Sequence, residues 1–189
     1  IDAFEASPCA ADPTGACSFA LEFPWRDRTW AQADAACRVG GKRLCARDEW
    51  ESACRGSAKL LYPYGNTYNE NVCNTKAANN IVETGTFVSC INTESGAFDL
   101  VGNVAEWVGI TEGDALVMGG EWTLGSSATC TFAIPQELDQ AYPWVGFRCC
   151  LGANDDIDGD GSLASVDCDE SDPERHPGAE EICNRADDD

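Results

Sequence analysis

Asp156, Asp158 and Asp160 alternate along the chain, Gly161 follows, and Asp167 falls at the twelfth position counted from Asp156. This is the spacing of a calcium loop. A hard divalent cation gathers about six to eight oxygens at one point. Carboxylates at loop positions 1, 3, 5 and 12 and the carbonyl of Ser162 at position 7 supply them, and glycine at position 6 permits the sharp turn. Random acidic runs seldom place glycine at that sixth position, which separates a built loop from a solvated acidic linker. The sole histidine, His176, stands in the same region. It reads as a turn residue before Pro177, with ligation of copper or zinc as the alternative.

The chain that must carry this loop has 189 residues, 33 acids against 12 bases and a net charge of −21. That balance argues against nucleic acid or anionic membrane as a partner, and no apolar run is long enough to span a bilayer. The twelve cysteines contain no Cys-x-x-Cys pair, so clustered metal–thiolate sites are disfavoured. An even count at this density points instead to an oxidising compartment and a disulfide framework. The expectation is a secreted or cell-surface protein whose signal peptide has been removed.

Two regions differ in their physics. Residues 151–189 hold 14 of the acids and two of the bases, whereas all six tryptophans lie in residues 1–150. The tail has little to bury beyond Leu151, Ile157, Leu163, Val166 and Ile182, so apolar burial cannot offset its ordering entropy. Ion ligation and a Cys168–Cys183 crosslink must do so. Within residues 1–150, the sequence predicts two helices. The first runs from about 29 to 38, with Thr29 as N-cap, Gly40 and Gly41 as its stop, and Trp30, Ala33 and Cys37 on one face. The second runs from about 47 to 55, with Asp48 and Glu49 in its first turn and Gly56 as terminator. Beyond Tyr62, frequent Gly, Asn and Pro predict short strands joined by long loops. The expected class is α+β.

Five segments occur in the order of one family: GKRLCARDEWESACRG at 41–56, YPYG at 62–65, FDLVGNVAEW at 98–107, GGEW at 119–122 and GFRC at 146–149. Together they resemble the formylglycine-generating enzyme, or sulfatase-modifying-factor, domain over about residues 1–150. The resemblance implies a C-type-lectin-like fold with little regular structure. The tail resembles a MopE-type metal-binding repeat through DCDESDP at 167–173 and HPGAEEIC at 176–183. Such a repeat usually continues to another cysteine, so the natural protein is expected to extend further.

Family members that oxidise a sulfatase cysteine use two cysteines shortly after the Gly-Gly motif, a serine beside it, and a tryptophan before the Glu-Trp pair. Here the serine position is Glu121, the tryptophan position is Ala105, and after Gly120 only Cys130 precedes the GFRC motif. Without a thiolate pair there is no soft copper site, and no nucleophile–base pairing replaces it. The resemblance therefore implies a protein that is not an enzyme. It also implies a calcium site formed by the Asp99 and Glu106 carboxylates with the Gly102 and Val104 carbonyls, and a second site near residues 71–75 with Asn74 as side-chain ligand. It implies the disulfides Cys37–Cys149 and Cys54–Cys130. Cys9–Cys17, Cys73–Cys90 and Cys45–Cys150 complete one map among several, because spacing alone does not fix connectivity and an interchain bridge through Cys9 or Cys150 stays open.

The functional expectation is a non-catalytic, calcium-stabilised structural or adhesive surface module. It would associate with itself or with another surface protein, as in an extracellular filament or sheath. A lectin-like module that binds carbohydrate or peptide through Trp122, Tyr142 and Trp144 is the second reading. A copper-binding protein or divergent oxidase is the third.

Overall fold

The computed structural model describes residues 1–109 and 116–152. Ile1–Cys150 is one compact unit, and a second begins at Leu151. The expected calcium loop (Asp156, Asp158, Asp160, Ser162, Asp167), His176 and the expected Cys168–Cys183 crosslink lie outside the described residues.

Helix α1 spans Trp30–Val39. The Thr29 hydroxyl accepts the Gln32 N–H, and the Gln32 side chain accepts the Thr29 N–H, so two orphan donors of the first turn are satisfied reciprocally. The helix buries Ala33, Ala36 and Cys37. Helix α2 spans Arg47–Arg55 and buries Trp50, Ala53 and Cys54. Its N-cap, Ala46, has no side-chain oxygen, so only the return half of a capping box forms. The Glu49 carboxylate accepts the Ala46 N–H at 2.8 Å and is itself gripped by both terminal nitrogens of Arg43.

The strands are short. Hairpin strands β1 (Ser7–Pro8) and β2 (Ala16–Cys17) pair with each other, and β3 (Arg43–Leu44) pairs with β8 (Cys149–Cys150). The central sheet has the order β6-β5-β4-β7, from Ala133–Pro135, Leu116–Met118, Ala105–Trp107 and Val145–Phe147. β4 is antiparallel to β5 and parallel to β7, with Glu106 opposite Gly146. Successive strand residues face opposite sides. Ala105 and Trp107 accordingly join one core cluster, with the buried face of α1, Val117 and Phe147. Glu106 points the other way, towards Trp50 of α2 and the cluster that contains Met118.

Between Tyr62 and Val104 there is no helix or strand, and asparagine side chains stand in for ladders. Asn92 donates to the Cys54 carbonyl and accepts the Glu94 and Ser95 N–H groups. Asn103 accepts the Val82 N–H and donates to the Val82 carbonyl. Two glycines are sterically required here. Gly102 (φ 81°) and Gly119 (φ 83°) lie in the left-handed region, and a Cβ would meet the Asn74 carbonyl oxygen at 2.4 Å and the Leu100 carbonyl oxygen at 2.5 Å.

Five disulfides close the unit: Cys9–Cys17, Cys37–Cys149, Cys45–Cys150, Cys54–Cys130 and Cys73–Cys90. The two family-implied pairs and the three that completed the map all form. Each of the ten cysteines among the described residues is bonded within this unit.

Candidate functional site

A buried charge cluster sits on the Glu106 side of β4. The Arg148 guanidinium, fully enclosed between Phe147 and Cys149, donates to Glu106 Oε2 through Nε at 2.7 Å and to Oε1 through Nη2 at 2.6 Å. Trp50 Nε1 adds a third donor to Oε2 at 2.6 Å. The remaining Arg148 N–H groups reach the carbonyls of Asp2, Ala3 and Phe98. Glu5 is likewise buried. It accepts from Asn103 Nδ2 at 2.8 Å and from the Val104 N–H at 3.4 Å. Asp99 Oδ2 accepts the Gly85 N–H at 2.6 Å. Three buried carboxylates thus face one guanidinium, in a region where an unpaired charge costs several kcal/mol.

The electrostatics follow from that imbalance. Burial first, then Asp99 and Glu106, hold the Glu5 carboxyl well above its ordinary 4.5, against the pull of Arg148 and Asn103. Burial also lifts Asp99 from 3.8 to about 6. The Gly85 N–H and Arg148 oppose that shift, and Glu106 adds to it. Burial works against the charge of Arg148, but Glu106, Glu5 and Asp99 more than offset it. The carboxyl values are raised in the folded state. Their contribution to stability is therefore whole below the unfolded values of 3.8 and 4.5; that of Asp99 is lost as pH climbs through about 6, and that of Glu5 as pH climbs through its own raised value. We expect the urea midpoint of the calcium-free protein to fall between pH 4 and pH 6.5, and Asp99→Asn to flatten part of that slope. Glu49, lowered chiefly by its hydrogen bond with Arg43, acts in the opposite sense, its contribution present above 4.5 and lost as pH falls through its folded value.

Of the four residues expected to hold calcium, Asp99 and Gly102 lie on one turn, buried Val104 follows it, and Glu106 stands on β4. Asp99 and Asn103 have positive φ, 54° and 52°, as does Gly102 beside Asn103, so this turn is conformationally costly and held by its surroundings. Three of the four acceptor directions of Glu106 are taken by Arg148 and Trp50, which leaves one on Oε1. Asn74 packs on the turn: its carbonyl accepts the Asn103 N–H, and its Nδ2 donates to Asn103 Oδ1 and the Asn80 carbonyl. Its own Oδ1 is buried with no donor. A buried oxygen acceptor lacking a donor fits a cation better than it fits a packed core. Among the described residues, no three His, Cys, Asp or Glu side chains are grouped to hold a metal by themselves. Any ion here would lean on carbonyl and amide oxygens, a donor set suited to calcium.

Glu5 and Arg148 were not singled out by sequence reasoning. Arg148 carried a signal: a charge inside the run Val145–Cys150, otherwise apolar or glycine, requires a buried partner. Glu5, in a short stretch far from every motif, carried none.

A second feature lies on the other side of the sheet. A cavity of about 520 Å³ is lined by Ala105, Glu121, Trp122, Phe132 and Trp144, with Arg26 among the polar residues. Ala105 and Glu121 are the positions where the resemblance implies tryptophan and serine. Trp122, Tyr142 and Trp144 are all half-buried. Tyr142 packs between Trp107 and Trp144 and is spent on the core, while Trp122 and Trp144 face the cavity. Cys130 is buried and bonded to Cys54.

The sulfatase-modifying factor enzyme 1-like domain matches residues 18–153. The chain belongs to this family. A MopE-type metal-binding motif matches residues 167–189. The inactive C-alpha-formylglycine-generating enzyme 2 of Bos taurus is 34% identical over 155 residues, covering 70% of this chain and 52% of that protein. The Mus musculus protein of the same name is 31% identical over 155 residues, covering 70% of this chain and 50% of that protein. The chain spans about half the length of these curated relatives. The solved structure of PvdO from Pseudomonas aeruginosa superposes with a TM-score of 0.59 at 17% identity, over 78% of this chain and 70% of that one. That of CarF gives 0.50 at 16%, over 68% and 67%. At these identities the two structures show a shared fold. Among the described residues of this sulfatase-modifying-factor domain, no helix is long and apolar enough to cross a membrane.

Proposed function

We propose that this domain is a non-catalytic, calcium-stabilised module of the cell exterior. It comprises residues 1–150 in a C-type-lectin-like arrangement, followed by an acidic ion-binding segment at 151–189. The observation that carries the reading is the state of the cysteines. All ten within the described residues are disulfides, and Cys130, the one cysteine between Gly120 and the GFRC motif, is closed onto Cys54. Oxidation of a substrate thiol through copper needs free thiolates. The names of the two mammalian relatives support the same reading. Incubation with copper, oxygen, reductant and a cysteine-bearing sulfatase-type peptide should leave the peptide mass unchanged. Loss of the thiol to an aldehyde would overturn the proposal.

Calcium would be held in the tail by Asp156, Asp158, Asp160, Ser162 and Asp167. In the domain, the Asp99 and Glu106 carboxylates, the latter through its one free acceptor direction, and the Gly102 and Val104 carbonyls would hold it, and the unpartnered Asn74 Oδ1 would serve the second site near residues 71–75. The ion would tie down loops that otherwise rest on asparagine side chains. Disulfides and ions give rigidity without a large core, as a structural or adhesive surface component requires. Size-exclusion chromatography with calcium and with EDTA tests the assembly part. A monomer under both conditions removes the filament or sheath.

The aromatic cavity supports the second reading, a ligand-binding module.

A further inference from the structure

The cavity carries more than its shape. Its walls are apolar and aromatic, with Trp122, Trp144 and Phe132 around the small floor residue Ala105. About 520 Å³ lies within the range of small-molecule sites. Two charged side chains line it, and they are not equivalent. Glu121 is folded onto its own turn: one carboxylate oxygen accepts the Thr123 N–H at 2.8 Å and the other accepts the Thr123 hydroxyl. Arg26 is fixed by a single bond, from Nη1 to the Pro143 carbonyl at 2.8 Å. Among the described residues no carboxylate lies within ion-pair distance of it. The guanidinium therefore offers its other N–H groups to whatever enters, and a planar fork of donors matches a carboxylate.

We propose that this cavity binds a small organic carboxylate whose body is aromatic, with the ring between Trp122 and Trp144 and the carboxylate on Arg26. The inference rests on the ligand-binding reading and adds the charge and class of the ligand. The net charge of −21 does not forbid an anion here. At physiological salt, fields fade over about 8 Å, so the distant acids count little, and the one acid in the cavity, Glu121, has both carboxylate oxygens turned onto Thr123.

The test uses the full chain in calcium buffer and three probes of one shape: 3-phenylpropionate, 3-phenylpropan-1-ol and 3-phenylpropylamine. Binding is read by tryptophan fluorescence and by saturation-transfer NMR. The propionate should bind saturably and at least about tenfold more tightly than the alcohol or the amine. Arg26→Ala should bring it down to the level of the alcohol, and Arg26→Lys should leave an intermediate affinity. Equal binding of all three probes, or preference for the amine, overturns the carboxylate assignment while leaving a ligand pocket in place. Failure of all three to bind overturns both. An Arg26→Ala protein that melts like the parent but keeps full affinity for the propionate also overturns the assignment.

Discussion

Arg148→Met is expected to destabilise the domain by about 3–5 kcal/mol, the cost of leaving buried charge without its partner. In a folded protein stable by roughly 5–15 kcal/mol, that is a drop in Tm on the order of 10 °C. The reason is the imbalance around the guanidinium. Glu106 loses two charge-assisted donors, while Glu5 and Asp99 lose the positive charge that opposes their raised values. Glu106→Gln should cost clearly less, because Arg148 still faces Glu5 and Asp99. The deficit of Arg148→Met should shrink at pH 4, where the orphaned carboxylates take up protons. Urea melts of both variants at pH 4 and pH 7 check this. Equal losses for the two variants at both pH values would show that the cluster is packing rather than electrostatics.

The second large effect is covalent. Removal of Cys54–Cys130 by double substitution to alanine opens a 76-residue loop, worth about 4.5 kcal/mol in the chain-entropy picture. Removal of Cys9–Cys17, with a separation of 8, should cost about 2.5 kcal/mol on the same basis. The pairs Cys37–Cys149 and Cys45–Cys150 close loops of 112 and 105 residues, but they share neighbouring cysteines on β8. Once one is formed, the other constrains only a short ring through the α1–β3 connection. Either alone should therefore cost no more than Cys9–Cys17, about 2.5 kcal/mol, and loss of both should exceed the sum of the single losses. Denaturant melts of the two single-disulfide variants and of the combined variant measure that non-additivity.

Local signals made parts of this fold legible in the sequence. Thr29 with Gln32, and Glu49 reaching back to Ala46, mark helix starts by hydrogen bonds that depend on neighbours three residues apart, and both helices form where those signals lie. The motif order identified the family, and with it two of the five disulfides, Cys37–Cys149 and Cys54–Cys130, while spacing alone left the other three open. Residues 62–104 were legible only as turns, because their order comes from Asn92, Asn103 and Asn74, whose partners lie far along the chain. The charge cluster was half legible. Arg148 announces a buried partner, but nothing local joins Glu5 to residue 103. The cavity was legible as altered positions, Ala105 and Glu121, without the arginine that gives it a charge preference. Arg26 reaches it by a bond to a carbonyl 117 residues away.

In the proposed function, ions hold together a scaffold that does no redox chemistry. Thermal unfolding of the full chain in saturating calcium, compared with the same protein in EDTA, tests it most directly. Calcium at about a hundred times its dissociation constant contributes about 2.7 kcal/mol. At roughly 2–4 °C for each kcal/mol in a chain of this size, EDTA should lower the Tm by about 5–10 °C, and calcium alone should restore it. An identical Tm in the two buffers would contradict the account.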